Sequence, residues 1–104
     1  MTPDAFRKMA LSLPGAAEGE HMGHADFRIR DKIFATLGYP SAAFATLMLT
    51  PDEQLRFMHS APDCFFPAKG AWGRKGSTQI RLDAAEQIEV QRALRAAWQH
   101  KATP

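Results

Sequence analysis

Residues 26–37 read DFRIRDKIFATL, and this stretch decides the fold. Hydrophobic and polar residues alternate with a period close to two, which is the spacing of a strand whose successive side chains point to opposite faces. Residues 26–30 and 32–37 read as two strands, and Arg30-Asp31 leaves room only for a tight connection, so the pair is a hairpin. Ile33, Ala35 and Leu37 are expected on one face, Phe34 and Thr36 on the other. Hairpin connections make the sheet antiparallel.

Working outward, Gly38-Tyr39-Pro40-Ser41 is a second turn and residues 43–49 form the next strand. Residues 17–22 read as an additional edge strand. Upstream, the period lengthens to 3.6. Thr2 is an N-cap with Pro3 at the first helical position, Phe6, Met9, Ala10 and Leu13 make one apolar face, and Pro14-Gly15 ends the helix. Downstream, Thr50-Pro51-Asp52-Glu53 combines an N-cap, a proline at N1 and a glutamate at N3, which is a capping box. Leu55, Met58 and His59 are expected on the inner face of that helix, and Pro62 stops it. Residues 64–67 look extended, residues 69–76 read as a glycine-rich loop, and residues 78–82 alternate as a strand. The last helix is assigned a capping box at Asp83-Ala84-Ala85-Glu86, a core stripe of Val90, Leu94 and Ala97 with Trp98 on its rim, and a water-facing side of Arg92, Arg95 and Gln99. The expected fold is therefore α+β, a two-layer sandwich with an antiparallel sheet of about five strands. Three helices cover one face, in the order α, three to four β, α, two β, α.

Composition bounds the rest. At 104 residues, with 45% hydrophobic and 23% charged residues, residues 1–104 are expected to form one domain with its own core rather than a disordered chain. No apolar run approaches the length of a membrane helix, the first residues lack a secretory pattern, and one cysteine cannot form an internal bridge. A reducing cytoplasmic setting is expected.

The net charge of +2 is unevenly spread. Between Asp63 and Asp83 there is no acidic residue, and this stretch carries Lys69, Arg74, Lys75 and Arg81 with Trp72 in its middle. A glycine-supported basic hairpin with an aromatic at its tip suits phosphate contacts and stacking on a base. The candidate nucleic-acid-binding residues are thus Lys69, Trp72, Arg74, Lys75 and Arg81. Arg92 and Arg95 extend that patch if the hairpin packs beside them. The same glycines do not match a nucleotide-binding loop, because they lead into a strand rather than a helix.

Two other chemistries are weighed. Residues 18–26 hold Glu18, Glu20, His21, His24 and Asp26, ligand types that suit a transition metal. His21 and His24 are three apart, which on one strand sends them to opposite faces; a loop between them would bring them together, but no second ligand pair with metal-site spacing follows, so no metal is assigned. An enzyme would require the two histidines to converge with Glu18 or Asp26 in a cleft. Cys64, between Asp63 and two phenylalanines, reads as a core residue, and no serine sits in a nucleophile motif. No catalytic residue and no cofactor is assigned, and the chain is read as a non-enzyme. A surface around Phe27, Phe65, Phe66 and Trp72 offers an alternative: a module binding a protein or a small ligand.

Leu13-Pro14-Gly15 with Glu18, then Gly23-His24-Ala25-Asp26-Phe27-Arg28 and Lys32-Ile33-Phe34-Ala35, resemble the MmcQ/YjbR family, as do Trp72-Gly73-Arg74-Lys75-Gly76 and the closing helix. The resemblance spans nearly the whole chain. It implies a small bacterial protein with a frataxin-like α+β topology, compared by fold analogy with double-wing DNA-binding proteins. It implies no catalytic residues. Two positions depart from the family pattern: Ser77, where an aromatic is usual, and Ala25, where proline is usual.

Overall fold

The structure is a computed structural model that describes residues 1–104. Its elements are α1 (Pro3–Leu11), β1 (Ala17–His21), β2 (His24–Ile29), β3 (Lys32–Leu37), β4 (Phe44–Met48), α2 (Pro51–Ser60), β5 (Phe65–Pro67), α3 (Gly70–Arg74), β6 (Ser77–Arg81) and α4 (Gln87–Ala102), with a 3₁₀ turn at Leu82–Ala84. The α+β class and the antiparallel sheet agree with the sequence reading. The counts differ. There are six strands, because residues 17–21 do form an edge strand, and four helices, because the glycine-rich stretch coils into α3.

The sheet order is β1-β2-β3-β4-β6-β5, with every neighbouring pair antiparallel. Two-residue turns close the first hairpins. Met22-Gly23 and Arg30-Asp31 hold positive φ at all four positions (51°, 80°, 54° and 64°), the geometry that matches the right-handed twist of the flanking strands.

α1, α2 and α4 lie on one face of the sheet. Phe6 of α1 meets Phe27 edge-on at 6.1 Å between ring centres, Phe57 of α2 lies 5.4 Å from Phe65, and α4 buries Val90, Ala93, Leu94 and Ala97 against β2, β3 and β4. The ladder places Phe27, Ala35, Leu47, Ile80 and Phe65 on this covered side, and all are buried. The opposite face carries no helix. Asp26, Thr36, Thr46 and Gln79 run across it in successive strands.

One strand departs from simple alternation. The register between β2 and β3 slips after Phe27, which pairs with Ala35, while Arg28 pairs with Ile33. Phe34 is the extra residue of a β-bulge, and in a bulge both residues opposite the single partner turn to the same side. Phe34 and Ala35 are therefore both fully buried, and Ile33 rather than Phe34 shares the uncovered face with Thr36. This corrects the expected assignment of faces.

The caps divide likewise. Thr2 Oγ1 accepts from Ala5 N at 3.1 Å. In α2, Thr50 Oγ1 accepts from Glu53 N at 3.1 Å and Glu53 Oε1 accepts from Thr50 N at 2.9 Å, the reciprocal capping box. The box expected at residues 83–86 is absent. That segment forms the 3₁₀ turn, α4 begins at Gln87, and its cap residue Glu86 makes no side-chain bond to the helix. The inner face of α2 also differs. Gln54 is buried with Phe57 and Met58 half-buried, whereas Leu55 is 62% exposed and His59 faces solvent. Trp98 sits on the rim of α4 as expected, and its Nε1 donates to Pro14 O at 2.9 Å. No helix is long and apolar enough to cross a membrane.

Candidate functional site

Four of the five expected binding residues gather at one corner. Lys69, Trp72, Arg74 and Lys75 sit on or beside α3, between edge strand β5 and its neighbour β6. The corner is a short helical turn, not the tip of an extended hairpin. Steric demands fix it. A Cβ on Gly73 would overlap the Ala68 carbonyl, and one on Gly76 (φ +110°) would overlap the carbonyl oxygen of Leu49. Buried Gln54 reaches across from α2, its Nε2 donating to Gly73 O and to Ser77 O, both at 3.0 Å. Ala68 N also donates to Ser77 O at 2.9 Å. The backbone of the corner is thus held from below while its side chains are free.

Those side chains are exposed. Trp72 is 71% accessible, far from the core position that a structural tryptophan takes. Lys69, Arg74 and Lys75 are exposed and enter no ion pair. Arg81 is not part of this group. It lies at the other end of β6, about 13 Å along the strand from Ser77. There its Nε approaches Asp83 Oδ1 at 3.4 Å. Arg92 and Arg95 face solvent from the outer side of α4, which packs on β2, β3 and β4. The aromatic surface of the alternative reading does not form, because Phe27 and Phe65 are core residues at 0% and 1% exposure.

A second polar cluster stands at the opposite edge of the sheet, in the stretch that the sequence reading weighed as a metal or catalytic site and set aside. His21 and His24 do not point to opposite faces. The Met22-Gly23 turn folds the chain back between them, so they are direct cross-strand partners on the uncovered face. Asp26 and Arg28 follow on the same face of β2. The Asp26 carboxylate is fully buried. Its Oδ1 accepts from Arg28 Nε at 2.7 Å, and its Oδ2 accepts from Arg28 Nη2 at 3.0 Å and faces His21 Nδ1 at 2.8 Å. The Arg28 guanidinium, chiefly through these bonds, holds the Asp26 carboxyl below the usual carboxylate range and in turn raises the pKa of Arg28. Glu18 belongs to the other face, where it accepts from Arg7 Nε at 2.6 Å. The signal that could have found the cluster was the two-residue Met22-Gly23 turn, which converts a spacing of three along the chain into adjacency across it.

Cys64 is a core thiol, as expected. It is 6% exposed, its Sγ lies 2.9 Å from Ala84 O, and burial pushes its pKa up.

A family model described as YjbR matches residues 11–100. The crystal structure of the Deinococcus radiodurans protein DR2400, which carries a DUF419 domain, superposes with a TM-score of 0.77 at 16% identity, covering 93% of this chain and 75% of that one. At that identity the likeness concerns the fold alone. No curated protein matches the chain.

Proposed function

The chain belongs to the YjbR family, and we propose that it is a small cytoplasmic binding domain whose α3 corner contacts nucleic acid weakly and without sequence preference. The observation that carries this reading is the 71% exposure of Trp72 among three unpaired cations. A single-stranded backbone supplies phosphates for Lys69, Arg74 and Lys75, and an unstacked base supplies a face for Trp72. On this reading the cations meet phosphates and Trp72 meets the face of a base, so the affinity comes from charge and stacking. Family membership by itself assigns no ligand.

The test is fluorescence anisotropy of a labelled single-stranded oligonucleotide across a salt series. Three phosphate contacts give a log–log slope of about −2, and a fourth contact through Arg81 would steepen it toward roughly −3. Trp72→Ala is expected to weaken binding by about 1–3 kcal/mol. Lys75→Ala should flatten the slope by roughly one contact. Binding that is absent at low salt, or unchanged in Trp72→Ala, rejects the reading.

A further inference from the structure

The His21, Asp26 and Arg28 cluster plays no part in the function proposed above, and its construction is not that of an ordinary surface. Asp26 is fully buried on a sheet face that no helix covers. Desolvating a carboxylate is costly unless its bonds are supplied, and here both oxygens are satisfied by Arg28 and His21. The neighbouring positions of the same face are filled by uncharged Thr36 and Thr46. The strand opposite is also shaped around the pair. Gly19 faces Asp26 across the β1–β2 ladder, and a Cβ there would stand 2.8 Å from Asp26 Oδ1 and 3.0 Å from Arg28 Nε. Only glycine leaves the guanidinium room to lie against the carboxylate.

The groups left over are informative. Arg28 uses Nε and one N–H of Nη2 on Asp26, so its terminal edge, formed by Nη1 and the second N–H of Nη2, has no partner in the chain. That edge is the fork that grips an oxyanion end-on. Asp26 is ionised and can only accept, so the His21 Nδ1 carries the proton it shares with Oδ2, and in the neutral ring Nε2 is left as an acceptor. Nε2 also has no partner in the chain, and the side chains of His21 and Arg28 are 40% and 37% exposed. The His21 ring and Arg28 Nη2 meet at the same carboxylate oxygen, so both side chains border one point of the uncovered face. His24 stands beside them, its ring edge-on to Tyr39 at 5.9 Å.

We propose that this part of the uncovered sheet face is a binding site for a small molecule carrying an oxyanion next to a hydroxyl. Arg28 takes the oxyanion and His21 Nε2 accepts from the hydroxyl, while Asp26 is the positioning residue that orients both. Hydroxy acids and polyol phosphates share this chemistry.

The experiment follows the imidazole nitrogens of His21 and the Nε–H of Arg28 by NMR on the full chain at slightly alkaline pH. Four probes are titrated in pairs: acetate against lactate, and methyl phosphate against glycerol 3-phosphate. Saturable shifts at His21 and Arg28, with the hydroxyl-bearing member of a pair binding several-fold tighter, are expected. Which pair binds tighter separates a carboxylate from a phosphate ligand. Arg28→Lys, which keeps the charge and loses the fork, should weaken every probe at least about tenfold. His21→Phe should erase the preference for the hydroxyl. Linear or absent shifts at the cluster in the wild-type protein overturn the proposal without recourse to either variant, and equal binding within each pair overturns the role of His21. A single-stranded oligonucleotide serves as the last arm. Shifts confined to residues 69–75 keep the two sites separate. Shifts at His21 and Arg28 with the oligonucleotide but with no small probe would assign the cluster to a nucleic-acid backbone and sink the small-molecule site, whatever happens at Trp72.

Discussion

Replacing Gly76 by alanine should unfold the α3 corner far more readily than replacing Gly70, although both glycines have positive φ. At Gly70 φ is +67° and nothing lies within 4 Å of an added Cβ, so the variant suffers only the left-handed backbone preference, about 1 kcal/mol. At Gly76 φ is +110°, outside the left-handed helical well, and the methyl group would overlap the Leu49 carbonyl oxygen while standing 2.8 and 2.9 Å from the carbonyl carbons of Thr50 and Leu49. All three are backbone atoms and cannot rotate away. Relief requires β6 to shift away from the end of β4, where Ser77 pairs with Met48, and it puts at risk the two bonds that Gln54 makes to Gly73 and Ser77. Backbone strain and lost hydrogen bonds together come to about 3–5 kcal/mol. For a domain of this size that is a fall in melting temperature of roughly 15–30 °C, against roughly 5 °C for Gly70→Ala. Far-UV circular dichroism during heating and urea melts of both variants provides the comparison. Equal losses in the two variants would refute the reasoning, because the steric contact at Gly76 would then carry no weight beyond φ.

Two further outcomes follow from the polar cluster and the thiol. Asp26→Asn should be destabilising at neutral pH by about 1–3 kcal/mol, since the half-buried Arg28 loses its counter-charge. The folded-state pKa of Asp26 lies below its ordinary 3.8, so its ionised form contributes stability above that value and the contribution disappears as pH falls through the lowered one. The gap between wild type and Asp26→Asn in urea melts should therefore close progressively below about pH 4, and a gap independent of pH would show that the pair with Arg28 and His21 is not its source. Cys64 should resist thiol reagents until denaturant is added, because it is buried and its pKa is raised; rapid labelling of the folded protein would contradict the packing against Ala84.

Much of this architecture is written locally. The Thr50-Pro51-Asp52-Glu53 box forms as read, because its partners are within three residues of each other. Residues 32–37 form a strand with the expected bounds, and the Arg30-Asp31 turn closes where the alternation breaks. Thr2 caps α1 for the same reason. The core stripe of α4 follows from a period of 3.6, which belongs to the helix alone. The basic corner was also legible, since the absence of acidic residues between Asp63 and Asp83 is a property of the chain.

What failed did so where a residue's conformation answers to a distant neighbour. Leu55 follows the helical pattern of α2, but Gln54 takes the inner position because Gly73 and Ser77, brought from elsewhere, offer it two carbonyls. Phe34 turns inward because β2 and β3 slip by one residue, an event of pairing and not of either strand. Arg81 counts with the other cations in sequence and is parted from them by the length of β6. By itself the sequence determined the class of fold, the types of most of its elements and the existence of a positively charged stretch, all of which rest on interactions between residues a few positions apart. Only the tertiary structure decided which cations share a surface, that Trp72 stands in water, and that His21, Asp26 and Arg28 meet over Gly19. Those outcomes depend on register and on the space left between strands, and neither is encoded in any single segment.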